Sequence, residues 1–179
     1  MRMGTTRRGW EGVRPRGPRA LLVGVILAVA GVPAVCARED PLGLEEIKTA
    51  HGLLEISVVE SSEGRKTFKL LLAGKLVAEE RGLYSVSIAA AHPRDNPRMV
   101  LLLLGSGGTG CPAQFKVLEV MPGGEARLSE KFGNCSDLFD TKWQDSAWRI
   151  DIPKIGGAAA QSWLYRDIKL SRMKPSSGR

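Results

Sequence analysis

The residues whose types and spacing could do chemistry lie in two short segments, Gly105-Ser106-Gly107-Gly108-Thr109-Gly110-Cys111-Pro112 and Gly133-Asn134-Cys135-Ser136-Asp137-Leu138-Phe139-Asp140. The first contains G-x-G-x-x-G after an apolar run, the pattern whose backbone N–H groups cradle a dinucleotide at a helix N-terminus. That chemistry needs a βαβ unit, and Pro122-Gly123-Gly124 would end any helix begun at Pro112. Ser106 would serve as a nucleophile only with a histidine and a carboxylate within hydrogen-bond reach, and the chain has just two histidines, His51 and His92. Asn134, Asp137 and Asp140 offer oxygens to calcium, but calcium loops space their acids more strictly and add a distal bidentate Glu. Asp137, Asp140 and Asp145 are close enough in sequence to suggest a hydrolase carboxylate pair, which works only where burial raises one pKa. No set is complete. The reading is therefore no catalytic residue, no metal and no cofactor, with Ser106, Thr109, Asn134, Asp137 and Asp140 as a candidate binding loop. A purely local role competes with it, in which glycines allow positive φ and Asn and Asp cap turns.

Cysteines and aromatics come next. Cys111 and Cys135 lack the C-x-x-C spacing or nearby histidines of a redox or metal pair. In an oxidising compartment, once Cys36 has left with a leader, they are expected to form a disulfide. Trp148, Trp163, Phe115 and Tyr165 alternate with polar residues and belong in a core, whereas Trp143, flanked by Lys142 and Gln144, is the best candidate for an exposed aromatic.

The compartment follows from the first 37 residues. An Arg-rich start leads into the apolar stretch Ala20 to Val35, and Gly31 and Pro33 break it before Val35-Cys36-Ala37. This is the build of an export signal cleaved after Ala37. Three alternatives use the same residues: a retained anchor, for which about 20 apolar residues are usual; a lipoprotein lipidated on Cys36; and a twin-arginine signal at Thr6-Arg7-Arg8-Gly9-Trp10. The leader also explains the charge. Of the net +7, six arginines against one glutamate fall in residues 1–37, leaving 20 basic and 18 acidic side chains elsewhere, with the signs mixed. A phosphate-reading, nucleic-acid-binding function loses its support.

What positions these residues is a series of short alternating runs. Leu54, Ile56 and Val58 form one, and Phe68, Leu70 and Leu72 turn at Gly74-Lys75 into Leu76 and Ala78. Tyr84, Val86 and Ile88 precede a proline loop at His92 to Pro97. Met99 to Leu104 is continuously apolar, as a strand covered on both faces would be. Phe115, Val117 and Glu119 share a face, Pro122-Gly123-Gly124 turns into Ala126 and Leu128, and Trp148, Ile150 and Ile152 and then Trp163 and Tyr165 alternate again. Residues 38–52 read as a short helical turn or loop, 53–172 as the β domain, Glu60 to Gly64 as a turn, and 173–179 as a tail. About eight to ten strands with close connections imply an all-β antiparallel meander, closed as a barrel or folded as a sandwich. Segments 68–76 and 163–170 echo one another, too briefly to make a repeat.

The paired segments Ser106-Gly107-Gly108-Thr109-x-Cys111-Pro112 and Phe132-Gly133-Asn134-Cys135-Ser136-Asp137 resemble those of uncharacterised small exported Gram-negative bacterial proteins, over roughly residues 65–170. Gly110 and Ile168 depart from that pattern. The resemblance implies a disulfide-linked β domain in the cell envelope and carries over no catalytic residue. The expectation is a periplasmic or secreted binding module whose ligand is an envelope protein or glycan, meeting a membrane only if the leader stays attached. A hydrolase and a signal-anchored structural protein are the alternatives, and the oligomeric state stays open.

Overall fold

The structure, a computed structural model, describes residues 45–60 and 65–174. The expected export signal, Cys36, most of the expected Glu60 to Gly64 turn and the expected tail beyond Lys174 lie outside the described residues. Those residues form twelve strands and no helix. The first sheet holds β1 (Glu46–Thr49), β2 (Gly52–Glu60), β3 (Lys66–Leu72) and β4 (Lys75–Leu83). The second holds β5 (Ser85–His92), β6 (Met99–Gly105), β7 (Ala113–Val120) and β8 (Ala126–Leu128), and the third β9 (Asp140–Gln144), β10 (Ala147–Ile152), β11 (Gln161–Arg166) and β12 (Lys169–Arg172). Each is an antiparallel meander of four strands in sequence order, with two open edges. This corrects three expectations. There is no closed barrel, the sheets are three rather than two, and the stretch expected as a helical turn or loop contributes β1, which pairs with β2 from Glu46 to Thr49.

The reason for three layers is legible in β6. Its apolar residues point alternately to opposite faces, and both faces are covered. Val100, Leu102 and Leu104 join Leu54, Leu70 and Leu72 of the first sheet in one core. Leu101, with Phe115 and Val117 of β7, joins Trp148, Ile150 and Tyr165 of the third sheet in the other. The second sheet is therefore the middle layer.

Two further features lock the stack. Lys116 of β7 sits on the face toward the first sheet and donates to Glu80 of β4, whose second carboxylate oxygen lies 3.8 Å from Lys131. Glu80 is buried, so this ion pair ties two layers where a lone carboxylate would be costly. Tight hairpins supply the rest. The β3–β4 turn uses Ala73 and Gly74, the β9–β10 turn Asp145 and Ser146, and the β11–β12 turn Asp167 and Ile168, all at positive φ. Such two-residue turns match the twist of the strands they join. Ile168, at φ 66°, is the most strained, because a β-branched side chain is disfavoured there.

Two stability predictions follow from this layering. Leu101→Ala and Leu102→Ala, on opposite faces of one strand, should each lower unfolding free energy by about 3 kcal/mol, whereas Leu76→Ala, at a position 56% exposed, should change it by less than about 0.5 kcal/mol. Glu80→Ala should cost about 3 kcal/mol by stranding Lys116. Denaturant titration reads all four variants.

Candidate functional site

The register of the middle sheet defines two ends. At one, Ser85 faces Gly105 and Gly105 faces Ala113; at the other, His92 faces Met99 and Met99 faces Glu119. The disulfide belongs to the first. Cys111 and Cys135 are bonded, with 4.6 Å between their Cα atoms, and join the β6–β7 loop to the segment before β9. Closing a ring of this size restricts the unfolded chain and stabilises by about 3 kcal/mol in the entropy model.

The candidate binding-loop residues are all at this end, and they divide. Ser106 Oγ donates to the Cys111 carbonyl and accepts from Gly108 N–H at 3.3 Å, while Ser106 N–H reaches the Pro112 carbonyl at 3.0 Å. Thr109, Asp137 and Asp140 are exposed. Asn134 is buried, and its amide donates to the carbonyls of Pro153 and Ala159, both at 2.8 Å, while its Oδ1 accepts from Ser136 N–H. Asn134 is thus a brace between the disulfide and the β10–β11 loop. Gly107 has the positive φ, 70°, that the local reading of the glycines anticipates, and a Cβ there would crowd Tyr84. The segment runs into strand β7, which removes the helix a dinucleotide site needs. Ser106 and His92 stand at opposite ends of the middle sheet, and Asp140 begins β9 while Asp145 lies in the turn that follows it.

A cavity opens at the other end, between the second and third sheets. A cleft of about 380 Å³ is lined by His92, Arg98, Glu119, Trp143, Tyr165 and Arg166, among others. One backbone irregularity builds it. Ile88 pairs with Leu102, but Ala90 pairs with Leu101, so Ala89 is an extra residue in β5. A single extra residue reverses which side every later side chain takes. Without it His92 would share the Val86 and Ile88 face toward the first sheet; with it, His92 faces the third. There its ring stacks on Trp143, with centroids 4.5 Å apart and planes 9° from parallel, and lies 6.1 Å from Trp148.

The other walls are held by regular structure. Glu119 projects from β7 on the Phe115 and Val117 face and accepts from the Tyr165 hydroxyl at 3.0 Å. Arg98 is fixed by two backbone bonds, its N–H to the His92 carbonyl and its carbonyl to Val120 N–H, and its guanidinium lies 3.9 Å from Glu119. Arg166 donates to the Asp145 carbonyl across the two neighbouring turns. Burial lowers the His92 pKa, so the imidazole is neutral near pH 7. Burial first, then the Glu119 charge, drives the Tyr165 phenol far above its usual value, so it remains a donor.

Sequence reasoning picked out Trp143 as exposed, and the side chain is 50% exposed. It also placed Glu119 on the Phe115 face and Tyr165 with the buried aromatics. What it missed was that His92 stacks on Trp143 and lines one cleft with Glu119 and Tyr165. The only local signal is Ala89-Ala90-Ala91, which carries no alternation to betray a bulge.

The neutral imidazole has a pH consequence with a definite sign. Because the folded pKa is depressed, the unfolded chain binds the proton more readily; stability is full above about pH 6.5 and declines as pH falls toward the folded value. An NMR titration should place the His92 midpoint below 6.5, and His92→Gln should flatten that part of the stability–pH curve. At the disulfide end, Asn134→Ala should destabilise by about 2 kcal/mol by orphaning two carbonyls, with Thr109→Ala near neutral, as thermal unfolding will read.

Set against known proteins, the chain matches no family model, no curated protein and no solved structure.

Proposed function

We propose that this chain is an exported binding module of the cell envelope, which captures its ligand in the cleft between the second and third sheets. The observation that carries the reading is Trp143. A tryptophan held on a strand, backed by a buried-side imidazole and left half exposed beside a concave wall of donors and acceptors, is a preformed recognition surface.

Export supports the same reading from the other end of the molecule. The Cys111–Cys135 bond is compatible with an oxidising compartment, where such bonds persist. The resemblance to small exported Gram-negative bacterial proteins, built on the segments around those two cysteines, points to the envelope as well. The disulfide-end loops then serve as the rigid closure of the scaffold, with exposed Thr109, Asp137 and Asp140 as a secondary contact surface.

Two measurements test this. Intact mass of the exported protein should begin at Arg38 and show two thiols that label only after reduction; retention of residues 1–37, or free thiols, would contradict export and cleavage. The mature protein should co-sediment saturably with isolated envelope material, and Trp143→Ala should weaken that binding by about tenfold, near 1.4 kcal/mol, while leaving thermal unfolding little changed. Binding indifferent to Trp143 would remove the cleft from the account.

A further inference from the structure

The cleft also specifies what kind of molecule it takes. Resting on the reading that this cleft is the ligand site, we infer that its ligand is a neutral saccharide, seated with a ring face on Trp143.

Three observations converge on that class. The first is the platform. One face of Trp143 is covered by the parallel His92 ring and the residue is still half exposed, which leaves the opposite face for a ligand ring. A pyranose ring presents a flat patch of C–H groups on one face, which an electron-rich indole face attracts, and carries its hydroxyls around the rim. The platform is positioned by its backbone, since Trp143 lies in β9 directly paired with Trp148 of β10, and its ring is stacked on His92.

The second is charge balance. Arg98 and Arg166 oppose Glu119 and Asp167 around the cleft, and His92 is neutral. A site for an anion or cation would show an excess of the other sign. A set with guanidinium donors and carboxylate acceptors in equal number instead matches hydroxyl groups, each of which donates one hydrogen bond and accepts others. Glu119 illustrates the fit. Its side chain is only 12% exposed, one oxygen accepts from Tyr165 and the other lies toward Arg98, and a carboxylate with about four acceptor positions retains capacity for a ligand hydroxyl.

The third is size and rigidity. A volume of about 380 Å³ is at the small end of the usual range for ligand pockets, suited to a mono- or disaccharide rather than a folded partner. The lining comes from strands β5, β6, β7, β9 and β11, from two-residue turns, and from Pro93 and Arg98 of the β5–β6 loop, where Arg98 is held by backbone bonds to His92 and Val120, so little ordering is needed on binding.

The test uses the mature protein with N-acetylglucosamine, its β1,4-linked disaccharide, glucose and maltose, and glucuronate as the charged counterpart. Intrinsic tryptophan fluorescence and calorimetry read binding. A saturable response to at least one neutral sugar, stronger than to glucuronate, weakened about tenfold or more by Trp143→Ala and largely restored by Trp143→Phe, is the expected result; Glu119→Gln should weaken it while keeping the Tyr165 contact. If no neutral sugar binds but envelope co-sedimentation still depends on Trp143, the saccharide class is wrong and the cleft stands, with a peptide as the ligand to pursue. If co-sedimentation does not depend on Trp143, the cleft reading fails and this inference with it.

Discussion

A sheet with two apolar faces is stable only if something covers each of them, and β5 to β8 form such a sheet. Each side chain of β6 from Val100 to Leu104 must enter a core whichever way it points, since the first sheet covers one side and the third the other. Most of the molecule follows from that requirement. The outer sheets bury one face each and keep polar residues on the other, as in the Arg149, Asp151 and Ser162 cluster of the third sheet. The charged pair at the first interface, Lys116 with Glu80, exists because a lysine on the middle sheet's inner face must meet a partner rather than water.

Two-sided burial also leaves the middle sheet open to solvent only at its ends. With both of its faces consumed by packing, its loops and strand ends are what it presents outside the two cores. The ends differ in kind. At one, the disulfide, the Asn134 brace and the Ser106 bonds tie loops to one another and use up their polar groups internally. At the other, short hairpins hold side chains up from strand ends, and the Ala89 bulge turns His92 toward the third sheet. Loops on a rigid sheet framework are the usual carriers of binding. The Asp167-Ile168 turn, at positive φ, sits beside the cleft that Asp167 helps to line.

Much of this was legible from residues alone where the signal was local. The continuous apolar run from Met99 to Leu104 announced a strand covered twice, Gly74-Lys75 and Pro122-Gly123-Gly124 marked hairpins, and the isolated flanks of Trp143 marked its exposure. Global pairing was not legible, because alternation says which side a residue takes and not which sheet covers it. A doubly covered strand implies three layers, yet only a knowledge of partners separates that from a barrel or a two-sheet sandwich. β1 escaped because four residues with a mixed pattern resemble a loop. Asn134 looked like a ligand because a side-chain amide that braces carbonyls and one that meets a ligand are the same residue in sequence. The echo between segments 68–76 and 163–170 gains meaning from the fold: each spans the hairpin between the third and fourth strands of its sheet, β3–β4 and β11–β12.

The bulge at Ala89 rotates His92 out of the first interface and into the cleft, so the most direct measurement is a set of proton nuclear Overhauser contacts to the His92 imidazole. Cross-peaks to the indole protons of Trp143 and Trp148 are predicted. Cross-peaks instead to side chains of the first interface, such as Leu54 or Leu72, would place His92 on the wrong side of the middle sheet and contradict the cleft.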